Sequence, residues 1–252
     1  IWNKDNGECM QTLSGHSDMI KGLKVVNTNI LSVSKDKHIY VWRTDSESFV
    51  KKVRSTESIT CLAVLENGDL MTGSIEGFIR TWNIESSNFI DEFRAHDKSV
   101  YCILFLTPNM FVSCSADKTI KLWSLGSKNC RKIFDGHTEY VWCLEKVSDK
   151  KFLSGSKDAK IFLWNIEKTN YEIVFQAHKD IVRCIRMKND EEFLSCSADG
   201  SVIEWNLSSS KQKQSLDLPG KIPINAIFIT DENELVIALK DGTLQLWSSN
   251  FY

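Results

Sequence analysis

The chain has no apolar run approaching the roughly 18–20 residues that span a bilayer. Its start, Ile1-Trp2-Asn3-Lys4-Asp5, lacks the layout of a signal or transit sequence. Neither sign of charge is in excess: 31 Lys and Arg face 33 Asp and Glu, a formal net charge of -2. A dedicated phosphate binder carries a surplus of Lys and Arg, so bulk charge argues against a nucleic-acid partner. Catalytic signatures are missing as well, with no Gly-x-Ser-x-Gly elbow, no phosphate-binding Gly loop and no His-Glu-x-x-His. There is no Cys-x-x-Cys and no Cys/His set with zinc spacing, so neither a metal nor a cofactor is expected. The lack of bridge-like cysteine pairing fits a reducing compartment. These absences describe a soluble intracellular protein, cytoplasmic or nuclear, with no membrane partner. At 42% hydrophobic and 25% charged residues it is neither a disordered tail nor a fibrous rod.

What the chain does have is tryptophan at a fixed interval. Trp2, Trp42, Trp82, Trp123, Trp164, Trp205 and Trp247 are spaced 40 to 42 residues apart, and only Trp142 falls out of register. Such a period means one supersecondary unit copied six times and stacked, because a single copy cannot bury its own apolar face. Each Trp closes an alternating run, as in Ile120–Trp123, Ile161–Trp164 and Val202–Trp205, which predicts a strand. A second strand and an Asp turn precede it. An apolar inner strand such as Val100–Phe105 and a mixed outer strand such as Cys130–Phe134 complete four antiparallel strands. The fold class is therefore all-β, and units of about 41 residues fit the blades of a propeller.

The chain resembles the WD-repeat β-propellers. That family's motif is Gly-His, then Ser or Thr, a turn Asp and a terminal Trp, joined by hydrogen bonds across each blade. It falls here on His16, Ser32, Asp36 and Trp42, then His96, Ser113, Asp117 and Trp123. The next copies are His137, Ser154, Asp158 and Trp164, and His178, Ser195, Asp199 and Trp205. Two copies depart from it. The second has Ser55 for His and Glu76 for Asp, and the sixth has Gly220 and Ile237 for His and Ser. Both are expected to hold mainly by packing. His38, outside the motif, is expected to be solvated in a turn.

The resemblance implies one domain over 1–252, with a partial N-terminal blade at 1–15 and six repeats over 16–252. Residues 1–3 and Cys9–Leu13 read as the ends of an incomplete blade, which favours a seven-bladed ring completed outside this chain. The alternative is a six-bladed ring closed by pairing Cys9–Leu13 with the strand ending at Trp247. Either way, the chain is expected to be part of a larger polypeptide or multiprotein complex.

Partner-binding residues of the family lie on the top face, three and five residues after the motif His and just before the turn Asp. Carried over, these slots give Met19, Ser99, Tyr140 and Ile181; Lys21, Tyr101, Trp142 and Arg183; and Lys35, Ile75, Ala116, Lys157, Ala198 and Lys240. Aromatic anchors beside Arg and Lys are common carriers of interface energy. The expected function is a non-catalytic scaffold that binds a peptide or protein, with acidic, phosphorylated or ubiquitin-related ligands as candidates. The alternatives are a propeller enzyme or an RNA-binding propeller using the same face.

Overall fold

The computed structural model describes residues 1–45 and 48–248. The chain divides into two compact units, Ile1–Ile103 and Leu104–Tyr252. All regular structure among the described residues is strand, apart from one short 3-10 turn at Pro219–Lys221.

Six antiparallel sheets follow one another. The first is β1 (Ile20–Val26), β2 (Asn29–Ser34), β3 (His38–Arg43) and β4 (Phe49–Arg54); the second is β5 (Ile59–Val64), β6 (Leu70–Ser74), β7 (Phe78–Asn83) and β8 (Asn88–Arg94). The third is β9 (Val100–Thr107), β10 (Met110–Ser115), β11 (Ile120–Ser124) and β12 (Cys130–Phe134). The fourth is β13 (Val141–Lys146), β14 (Lys151–Ser156), β15 (Lys160–Asn165) and β16 (Ile173–Gln176). The fifth is β17 (Val182–Met187), β18 (Glu192–Ser197), β19 (Ser201–Asn206) and β20 (Gln212–Asp217). The sixth has three strands, β21 (Ile224–Ile229), β22 (Leu235–Leu239) and β23 (Leu244–Trp247). Every sheet is a meander in which sequence neighbours pair, so local turns set the whole topology.

The expected seventh blade does not form. Residues 1–15 contribute only one isolated bridge, Trp2 to Cys9, around a turn in which Asn3 and Asn6 side chains accept backbone N–H groups. A two-residue bridge offers too few ladder bonds to nucleate a sheet. Six sheets are present among the described residues rather than seven.

Within the first unit, β1 and β2 pack against β5; within the second, β13 and β14 pack against β17, and β17 and β18 against β21. Glycines on the second strands β6 and β14 permit such approach. A Cβ on Gly155 would stand 2.6 Å from Val182 and 2.7 Å from Cys143, and one on Gly73 would stand 2.8 Å from Val100. Both glycines are there for space. The aliphatic residues of the middle strands form the cores, as Leu31, Val33, Ile39 and Val41 do in the first unit and Leu153, Ile161, Leu163 and Ile203 in the second. A bulge just before the Trp, at Val41/Trp42, Thr81/Trp82, Leu122/Trp123 and Glu204/Trp205, frees one residue near the start of β4, β8, β12 and β20. All eight cysteines are unbridged, and burial pushes the Cys61 and Cys196 thiols up.

Candidate functional site

The side chains of the repeat motif form hydrogen-bonded chains across the sheets that keep it. In the first sheet Trp42 Nε1 donates to Ser32 Oγ at 2.8 Å, and His16 Nε2 lies 2.7 Å from the same oxygen. Asp36, an acceptor only, takes the Nδ1 proton at 2.7 Å, and in that tautomer Nε2 accepts the proton of Ser32, whose oxygen accepts from the indole. The fourth sheet repeats this with His137, Ser154, Asp158 and Trp164 at 2.8 Å throughout. Asp158 also accepts the N–H groups of Thr138 and Lys160, each at 3.0 Å. Burial alone would raise its carboxyl, yet the His137 hydrogen bond and charge, with these N–H donors, hold it below the usual range. Asp36 is lowered in the same way through His16. In the third sheet Trp123 donates to Ser113 at 2.9 Å, Asp117 accepts from Thr119, and His96 is buried.

The fifth sheet varies the chain. His178 Nδ1 meets Ser201 Oγ at 2.9 Å and stands 3.4 Å from Asp199 Oδ2, and Ser201 passes its own proton to Asp199 at 2.6 Å, so a hydroxyl joins the imidazole and the carboxylate. The second sheet corrects an expectation. Trp82 still donates to Thr72 at 2.8 Å, but packing is not what replaces the missing His. Arg80, almost fully buried, donates to Glu57 at 3.0 and 3.3 Å and to Glu92 at 2.7 Å. His38 opens β3 with Nδ1 3.5 Å from Asp36, rather than standing free in a turn. In the sixth sheet Asp241 accepts, among the described residues, only from Thr243 N, at 2.9 Å.

The slots assigned to a partner are joined by a recurring backbone bond. The residue three after the motif His accepts the N–H of the residue before the turn acid: Met19 from Lys35 at 3.0 Å, Tyr140 from Lys157 and Ile181 from Ala198, both at 2.9 Å. Pro223 accepts from Lys240 at 2.9 Å in the sixth sheet. In the first unit, Met19 is exposed, Lys21 Nζ lies 3.6 Å from its sulfur, and Tyr101 is half-buried on β9.

The second unit gathers a denser group. Lys157 Nζ sits 4.9 Å from the Tyr140 ring centroid. The Arg183 guanidinium lies 5.6 Å over the Trp142 ring, a cation–π contact between successive inner strands. Trp142 is therefore half-packed on its neighbour and half-open, not projecting alone. Arg183 Nη1 donates to Asn225 at 3.1 Å, and Asn225 Nδ2 reaches the carbonyl of Leu239 next to exposed Lys240. Arg183 Nε is shielded from water without a partner, and no carboxylate pairs with Arg183 among the described residues. Charge elsewhere is countered: Glu139, outside the assigned slots, stands 3.7 Å from both Lys157 and Lys118.

Sequence reasoning missed Asn225 because the sixth copy has Gly220 where the motif His would stand. The same offset of five residues, counted from Gly220, finds it. Among the described residues no group of three or more His, Cys, Asp or Glu is placed to hold a metal ion, and no helix is long and apolar enough to cross a membrane.

A family model described as WD domain, G-beta repeat matches residues 7–43, 87–124, 128–165 and 170–206. An uncharacterized WD repeat-containing protein of Schizosaccharomyces pombe is 34% identical over 114 residues, covering 41% of this chain and 31% of that protein. The chain thus spans about a third of the length of the first curated relatives it matches. Among solved structures, U3-55K aligns with a TM-score of 0.84 at 22% identity, over 94% of this chain and 79% of that one. The WD40 beta propeller domain of Doa1 aligns with a TM-score of 0.73 at 21% identity, over 94% and 95%. At these identities the likeness to the structures is one of fold.

Proposed function

Given that the chain belongs to the WD domain, G-beta repeat family of all-β propellers, which generally act as non-catalytic interaction platforms, we propose that the Tyr140–Trp142–Arg183 face of the second unit binds a peptide segment carrying an acidic group beside an apolar side chain. The observation that carries this reading is Arg183. Its guanidinium is stacked on Trp142 and tethered by Asn225, so its orientation is fixed before any ligand arrives. Yet among the described residues it has no carboxylate partner, and a charge-assisted bond to one is among the stronger contacts a surface can offer. Trp142, Tyr140 and Ile181 supply apolar surface next to it, and Lys157 and Lys240 add positive charge at the margin. Acidic and phosphorylated peptides share the chemistry required, and an acidic segment of a ubiquitin-related protein would meet it too. Met19, Lys21, Lys35 and Tyr101 are the matching candidates in the first unit.

A peptide array probed with the unaltered chain and with Trp142→Ala and Arg183→Ala tests the proposal. Truncation at either position should weaken the best acidic ligands by about 1–3 kcal/mol, as expected of a hot spot. Arg131→Glu, on the exposed outer strand β12, serves as the control and should change nothing. Lys51 and Lys52 are poor controls, because Lys51 bonds the carbonyls of Ile84 and Glu85 and Lys52 lies over Tyr40. Selection of RNA with a steep salt dependence, and of no peptide, would replace this reading with a nucleic-acid one.

A further inference from the structure

The register of β17 on β18 sets Cys184 directly opposite Cys196. In the second, fourth and sixth sheets the equivalent slots hold no such pair: Cys61 faces Gly73, Cys143 faces Gly155 and Ala226 faces Ala238. Facing residues of an antiparallel pair have Cα atoms roughly 4.5–5.5 Å apart, inside the roughly 4.4–6.8 Å over which a disulfide forms. The two thiols also interact. Cys196 hydrogen-bonds Cys184 and holds that thiol below its ordinary range, whereas burial holds Cys196 above it. A sulfur that ionises readily thus lies against a protonated one, the arrangement of an attacking and a resolving cysteine. Cys184 is 5% exposed and Cys196 0%, so a small uncharged oxidant meets Cys184 first.

Both cysteines belong to the apolar cluster that joins the fifth sheet to the sixth. Cys184 Sγ donates to the Ile227 carbonyl of β21 at 3.6 Å, and the preceding residue, Arg183, donates to Asn225 of the same strand. The pair therefore sits behind the side chain that the proposed site relies on.

We propose that Cys184 and Cys196 are a reversible oxidation site for hydrogen peroxide, and that closing their disulfide weakens the Arg183 face. The second half rests on the peptide-binding reading of that face. The Cys184 thiolate attacks the peroxide, forming an S–O bond as the O–O bond breaks, and the departing hydroxide takes up the thiol's proton as water. Cys196 Sγ then attacks the sulfenic sulfur, forming S–S as S–O breaks, and its proton leaves with the hydroxyl as a second water. The two thiols lose two electrons and the peroxide gains them; a small-molecule thiol reopens the bridge by exchange. Closure draws the Cβ atoms from roughly 4.5–5.5 Å to roughly 3.5–4.5 Å, and a disulfide sulfur has no proton to give Ile227. β17 thereby loses a side-chain tie to β21 beside the Arg183–Asn225 bond that orients the guanidinium.

The test treats the reduced full chain with hydrogen peroxide, alkylates the remaining thiols in denaturant and digests with trypsin without reductant. The expected product joins residues 184–186 to residues 189–211 and disappears with dithiothreitol. This linkage is read on the unaltered chain and does not depend on any variant folding. Anisotropy with the best acidic peptide should show affinity falling about fivefold or more on oxidation and returning with reductant. The double variant Cys184→Ala, Cys196→Ala should keep its affinity through the same treatment. Oxidation of exposed Cys9 and Cys130 without that linkage would overturn the pair. A linked chain with undiminished affinity, or a double variant that loses affinity as the unaltered chain does, would overturn the effect on the face. A reduced chain that binds no acidic peptide would instead refute the reading of the face, while the linked peptide still decides the pair.

Discussion

Asp158→Ala removes three contacts at once, the His137 bond at 2.8 Å and the two backbone N–H bonds at 3.0 Å. The imidazole cannot escape to water, because the His137 side chain is 1% exposed. Its Nδ1–H is left unsatisfied, which costs about 1–3 kcal/mol, and the loop N–H groups lose a fixed acceptor at about 0.5 kcal/mol each since water can reach them. The expected total is about 2–4 kcal/mol. Asp241→Ala removes a single exposed bond to Thr243 and should cost less than about 1 kcal/mol. Urea denaturation of both variants, compared at unchanged slope, measures the difference directly. Equal losses, or a larger loss at Asp241, would refute the reasoning that a buried donor without its acceptor sets the cost.

Two more outcomes follow from the buried charges. Arg80→Met leaves half-buried Glu57 and exposed Glu92 without their cation and should destabilise the chain by about 1–2 kcal/mol, while adding Glu57→Gln and Glu92→Gln should recover part of that; a neutral Arg80→Met would show that the triad is not what holds the second sheet. Asp36, Asp158 and Asp199 are held below the usual carboxylate range, and Lys151 and Lys168 bring Glu172 down to about 2. A carboxyl depressed on folding stabilises fully above its unfolded value and loses that contribution as pH falls through the folded one. Stability should therefore decline from about pH 5 downward, with a shallower slope in Asp158→Asn; a flat profile between pH 5 and pH 2.5 would contradict the assigned shifts.

The repeat was legible because burial acts on every copy alike. Each of the first five sheets needs the same indole over the same hydroxyl, so Trp and Ser or Thr recur there at a fixed distance of 10 residues, and the strands could be placed from them. What breaks the repeat was harder to read. Arg80 replaces a motif network with groups drawn from three separate segments, Glu57 before β5, Arg80 on β7 and Glu92 on β8, and no spacing rule joins them. Asn225 matters only because the Arg183 side chain reaches across to the next strand, which is a tertiary fact. The N-terminal residues carried the composition of strands, but only the bridge between Trp2 and Cys9 forms. The inner-strand aromatics and cations were visible as departures from the repeat. Their pairing, Arg183 on Trp142 and Lys157 on Tyr140, was not.

The most direct measurement is a double-mutant cycle on the acidic peptide that binds best, crossing Arg183→Met in the protein with replacement of the peptide's key Glu by Gln. The account predicts a coupling energy of about 1–3 kcal/mol between the two, with the Gln peptide losing affinity for the unaltered chain and little for Arg183→Met. Strictly additive losses, or a peptide that binds Arg183→Met as tightly as the unaltered chain, would show that Arg183 does not receive the ligand's acid.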